Sequence, residues 1–115
     1  MSAETELWTC DEGELARLLP RAEEWDSFVD GVFEFDGDGW LLTVSAPEPV
    51  SPDEVPAELG ALVSGLRFRV EMGVEPSDAP VDAWAFVREV MERLGGALRG
   101  AGLDPESGHP LSWAS

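Results

Sequence analysis

From Leu66 to Glu75 apolar and polar residues alternate without a break: Leu66, Phe68, Val70, Met72 and Val74 interleave with Arg67, Arg69, Glu71, Gly73 and Glu75. Successive strand side chains point to opposite faces, so this spelling makes one apolar face and one wet face. A helix would scatter the same residues around its axis. A strand with one solvated face belongs to an antiparallel or mixed sheet covered on one side.

The other elements are read around that strand. Residues 28–45 read as a hairpin: Val29, Phe33 and Phe35 share one parity, Trp40, Leu42 and Val44 another, and Asp36-Gly37-Asp38-Gly39 lies between. A two-residue turn at Gly37-Asp38 pairs Phe35 with Trp40 and Phe33 with Leu42. From Pro80 to Arg99, Ala83, Phe86, Val87, Val90, Met91, Leu94, Ala97 and Leu98 recur at helical spacing and predict the longest helix. Gly95-Gly96 within it either admits a neighbouring backbone or ends it early. Ser51-Pro52-Asp53-Glu54 spells a capping box for a second helix carrying Leu59, Leu62 and Val63 and stopping near Gly65, although Pro56 conflicts with an unbroken run. Thr9 and Glu12 likewise suggest a cap for a short helix with Leu15, Leu18 and Leu19, ended by Pro20. Glu6 to Cys10 reads as a short edge strand, and Leu103 as part of a short last one.

These elements add up to a single α+β domain over residues 1–115. The expectation is an antiparallel or mixed sheet of about 3–5 strands with two main helices packed on one face and a short N-terminal helix. A ferredoxin-like arrangement is one option. The termini, about 1–5 and 109–115, are expected to be loose unless Leu111 and Trp113 dock on the core.

Charge is the second constraint. Twenty-four acidic residues face seven basic ones, all arginine, for a net charge of -17. Residues 1–58 hold 16 of the acids against Arg17 and Arg21, while residues 59–115 hold eight against five arginines. Such a field repels nucleic acids and anionic membranes and draws in basic partners. Solubility or salt adaptation would also produce an acidic exterior; the unevenness along the chain favours a partner. The single Cys10 excludes an internal disulfide and fits a reducing, cytoplasmic setting. Met1 to Glu6 carries no secretory signature, and no apolar run approaches the ~20 residues a membrane helix needs.

Chemistry-bearing patterns are sparse. Residues 34–39 resemble the opening of a calcium loop, but the bidentate acid would fall on Ser45, so a turn is the expected role. His109 stands alone in a polar tail, and Cys10 lies beside Asp11 and Glu12, which oppose thiolate formation. Paired carboxylates are expected by chance at this acid content. Glycines near residues 95–102 follow a helix, whereas a phosphate cradle precedes one. Arg67 and Arg69 share the wet face of the central strand, either paired with carboxylates such as Glu34 or forming an anion patch. Of the five tryptophans (Trp8, Trp25, Trp40, Trp84, Trp113), most are expected in the core and one or two on an interface rim.

No cofactor or metal is implied. The expected function is non-enzymatic: an acidic binding protein presenting a negative face to a basic protein partner, with Glu23, Glu24, Asp26, Asp36 and Asp38 as the contact acids. In size, charge and lack of catalytic groups the chain resembles the small acidic immunity proteins that neutralise bacterial toxins, though no motif carries the resemblance. Two alternatives stand beside it. One is a secretion-chaperone-like homodimer with Trp84 or Met91 at its seam; the other is an enzyme with a carboxylate and arginine site.

Overall fold

The computed structural model describes residues 3–27 and 30–113; Phe28 and Val29, expected to begin the hairpin, lie outside them, as do Met1, Ser2, Ala114 and Ser115. Among the described residues the chain forms β1 (Ala3–Thr9), α1 (Leu15–Leu18), a 3-10 turn (Ala22–Glu24), β2 (Trp25–Ser27), β3 (Phe33–Asp36) and β4 (Leu41–Val44). There follow β5 (Glu48–Pro49), a second 3-10 turn (Pro52–Glu54), α2 (Ala57–Gly60), β6 (Phe68–Glu75), α3 (Val81–Leu98), β7 (Gly100–Leu103) and β8 (Pro110–Ser112). Eight strands join one antiparallel sheet in the order β2-β3-β4-β6-β1-β7-β8, with β5 also on β6.

The expected 3–5 strands and two main helices on one face are therefore corrected to eight strands and one long helix. Three physical causes account for the difference. First, β1 is central, not an edge: it pairs β6 along its whole length from Ala3↔Val74 to Thr9↔Phe68, and β7 on its other side. Second, β4 and β5 are two pieces of one path along β6. Val44 pairs Met72 and Glu48 pairs Arg69, so four residues advance on one strand against three on the other, and Pro47 sits in the extra step. That is the signature of a bulge. Third, Pro52 and Pro56 cut the expected second helix into a 3-10 turn and the single turn α2. The Ser51–Glu54 capping box does form, with Ser51 N donating to Glu54 Oε2 at 2.9 Å, but it starts the 3-10 turn.

The alternation of the central strand holds over Val70, Met72 and Val74, all buried. On the same sheet face lie Leu7, Leu42, Val44, Phe33, Phe35 and Trp25, set there by the registers Leu7↔Val70, Leu42↔Val74 and Phe35↔Leu42. α3 covers this face with Ala83, Phe86, Val87, Val90, Met91 and Leu94. Each fully buried aliphatic side chain here contributes about 1.5–3 kcal/mol. Leu66 departs from the pattern. It turns with Leu59 and Val63 to a second, smaller core against Trp8, Cys10 and Ala101, leaving Phe68 half-buried.

The hairpin register is displaced from the expected one. Phe35 pairs Leu42 and Phe33 pairs Val44, and Gly37 N donates to Trp40 O at 2.8 Å, so Asp38-Gly39 forms the turn. Gly39 takes φ +82°, which a glycine adopts without penalty. Phe35 and Trp40 still stack, diagonally, with centroids 5.7 Å apart. At the other end of the sheet, Leu111 pairs Gly102 and Trp113 packs on the core beside α3.

Candidate functional site

Two acidic surfaces emerge from this topology. The first is the part of the sheet that the segment around α2 leaves open on the side opposite α3. Strand parity puts Asp26, Glu34, Thr43, Gly73 and Glu4 in one cross-strand row, followed by Glu71 and Glu6 and then Glu48, Arg69 and Trp8. A shallow cavity of about 500 Å³ crosses this face, lined by Glu4, Glu6, Glu71, Thr43 and Ser45 around Gly73. Arg69 is held there by Glu48 and Glu71, each 3.3 Å away, and by Glu6 at 3.6 Å, with the Trp8 ring 5.8 Å below its guanidinium. The hydrogen bond that Arg69 donates to the Glu48 carboxylate, helped by the charges of Glu71, Glu48 and Glu6, raises its pKa above the ordinary arginine value. Arg67 precedes β6, exposed, with its guanidinium 6.0 Å from the Phe68 ring and its backbone N–H on Thr9 O.

The second surface is a hollow of about 550 Å³ at the tip of the β3–β4 hairpin. Its floor is aromatic. Phe35 and Phe86 lie 4.4 Å apart between ring centroids, and Trp40 stands 5.7 Å from the one and 5.9 Å from the other. Glu24, Asp36 and Asp38 line one side, Asp82 and Glu89 of α3 the other. Asp82 and Glu89 are seven residues apart, hence on one helix face, with Phe86 between them. Arg21 closes the rim, its guanidinium 5.4 Å from the Phe86 centroid and 5.9 Å from that of Phe35. The backbone there is left-handed, at φ 55° and ψ 51°. It is pinned from both sides, since Glu24 N donates to Arg21 O at 2.9 Å and Trp25 Nε1 to Pro20 O at 2.7 Å.

The acids proposed from sequence thus divide between the two surfaces. Glu24, Asp36 and Asp38 meet at the hollow, Asp26 lies on the open sheet face, and Glu23 is exposed in the turn between them. Sequence reasoning missed Glu4, Glu6 and Glu71, which the alternation of β6 and its partner strand already placed on one face. It also missed Arg21, Asp82 and Glu89. Nothing local told which hairpin the helix would lie against.

The remaining candidates are placed elsewhere. Cys10 is buried in the smaller core, its thiol donating to Ser64 O at 3.4 Å. His109 is exposed in the β7–β8 connection, where its carbonyl accepts from Asp104 N. Met91 is fully buried beneath the sheet and Trp84 half-buried against the same core. Among the described residues no group of three or more His, Cys, Asp or Glu side chains is arranged to hold a metal ion, and no helix is long and apolar enough to cross a membrane. In comparisons with protein-family models, curated proteins and solved structures, nothing matches this chain.

Proposed function

We propose that this chain is a non-enzymatic acidic binding protein that presents a negative face to a basic protein partner in the bacterial cytoplasm, in the manner of an immunity or inhibitor protein. The observation that carries the reading is the hollow at the hairpin tip, where Glu24, Asp36 and Asp38 stand with Asp82 and Glu89 around the half-buried ring of Trp40. Carboxylates steer a basic partner and set its orientation, and an aromatic side chain at their centre supplies the apolar contact that charge alone lacks. The open sheet face, with Arg69 among Glu6, Glu48 and Glu71, extends the same negative field.

The test uses capture from host lysate at low salt, by the wild type and by a variant with Glu24, Asp36 and Asp38 changed to lysine. A basic protein retained by the first and not by the second is the expected partner. Its affinity should fall steeply between about 0.05 and about 0.5 M salt, chiefly through slower association. A partner held equally by both proteins, or indifferent to salt, would count against the reading.

A further inference from the structure

We propose that the hollow at the hairpin tip is a recognition site for an arginine side chain of the basic partner, and that Arg21 occupies it in the free protein as a tethered stand-in. This deepens the function proposed above and rests on it. The aromatic floor argues for a cation independently of the acids. Ring faces carry negative potential, and a guanidinium within about 6 Å of a ring centroid is attracted to it. Arg21 meets that condition over Phe86 and Phe35, at 5.4 and 5.9 Å.

Arg21 uses only half of what the hollow offers. A guanidinium can stack by its face while its edge donates to carboxylates. Among the described residues Arg21 forms no ion pair, although Glu24, Asp36, Asp38, Asp82 and Glu89 line the same space. Its chain approaches from the rim, from a left-handed backbone fixed by the Trp25–Pro20 and Glu24–Arg21 hydrogen bonds. A partner's arginine entering from solvent has no such tether, so it can lay its plane on the Trp40 ring and turn its edge to Asp82 and Glu89. Arg21 is exposed and can leave by side-chain rotation alone, with the turn unchanged. An arginine fits better than a lysine because a planar cation stacks on a ring by its face while its edge donates to carboxylates.

The experiment titrates N-acetyl-arginine amide, and its uncharged isostere N-acetyl-citrulline amide, into the wild type and R21G. The readout is the Trp40 indole N–H resonance, assigned with W40F. Glycine keeps the left-handed turn, so R21G empties the hollow without remaking the backbone. The arginine amide should shift the Trp40 resonance saturably, with half-saturation roughly two- to fivefold lower in R21G, the gain expected from removing one exposed cation–π competitor. The citrulline amide should leave the resonance in place. D82N/E89Q, altered only at exposed helix positions, should weaken the arginine amide several-fold and covers the case in which R21G fails to fold. Equal half-saturation in wild type and R21G, a shift with citrulline, or no shift at all overturns the site. Salt-sensitive binding of a hexa-arginine peptide in a parallel titration separates the two levels. If it persists while Trp40 stays silent, the hollow is not the site but the acidic-binder reading stands; if it is absent, both fall.

Discussion

The indole of Trp113 fills the space that a side chain on Gly95 would need: a Cβ at that position would fall 2.4 Å from Trp113 Cε3. The neighbouring Gly96 has open space instead, with nothing within 4 Å. The two glycines that interrupt the helical pattern therefore have opposite roles. One admits the C-terminal tryptophan, and the other only weakens the helix.

The contrast can be measured by chemical denaturation. Gly96→Ala should stabilise the protein by up to about 1 kcal/mol through helix propensity alone. Gly95→Ala gains the same propensity but overpacks a closed contact, and should destabilise by about 1–2 kcal/mol net. Combining it with Trp113→Ala should remove the clash, so the two changes should be strongly non-additive. An unchanged midpoint for Gly95→Ala would show that Trp113 is not seated there.

Val70 is fully buried at the middle of the sheet, whereas Phe68, two residues earlier on the same strand, is half-buried. Val70→Asp places an unpaired charge in the core, costing several kcal/mol against a total of about 5–15, and should abolish the cooperative transition. Phe68→Asp should leave a folded protein of reduced stability. Circular dichroism melts of the two variants make the comparison, and equal damage from both would contradict the burial.

Arg69 bridges Glu6, Glu48 and Glu71, which strand register puts on one sheet face. Removing it as Arg69→Ala leaves three carboxylates facing one another, and should destabilise by about 1 kcal/mol at low salt, the scale of partly exposed pairs. Screening of the residual repulsion should narrow the difference from wild type in about 0.5 M salt. A deficit that grows with salt would mean that Arg69 acts by packing on Trp8.

Asp104 is buried at the end of β7 and accepts a hydrogen bond from Glu106 N at 3.0 Å, while its carboxylate also pairs with Arg88 of α3. Its pKa is lowered from the ordinary 3.8, first by the Glu106 backbone bond and then by Ser107 and Arg88. Asp11 is lowered as well, chiefly by its hydrogen bonds to Arg99, 3.0 and 3.1 Å long. A carboxylate with a depressed folded-state pKa contributes stability that is complete above its unfolded value and is lost as pH falls through the folded one. The stability gap between wild type and Asp104→Asn should thus be constant near neutrality and shrink as pH drops below about 4. Denaturant midpoints over that range check it, and a gap that widens in acid would reverse the assignment.

Periodicity alone tells which residues of α3 and of the central strand face a core, because side-chain direction is fixed by the local backbone. The alternation at Val70, Met72 and Val74, the face formed by Phe86, Val87 and Val90, and the parity of Phe35 and Leu42 are all local properties. Strand number was not legible. Gly100-Ala101-Gly102 spells a helix breaker, yet it is β7, with glycines because a Cβ on Gly102 would sit 2.9 Å from Met91 Cε and one on Gly100 2.9 Å from Trp8 O. The register of the hairpin slipped by two residues, a step that parity cannot detect. The acids at 24, 36 and 38 were visible as acids, but their meeting with Asp82 and Glu89 required the long helix to lie against the β3–β4 tip. That meeting, like the seat of Arg21 on Phe86, is a contact between segments far apart in the chain. Only the packing of the whole sheet decides it.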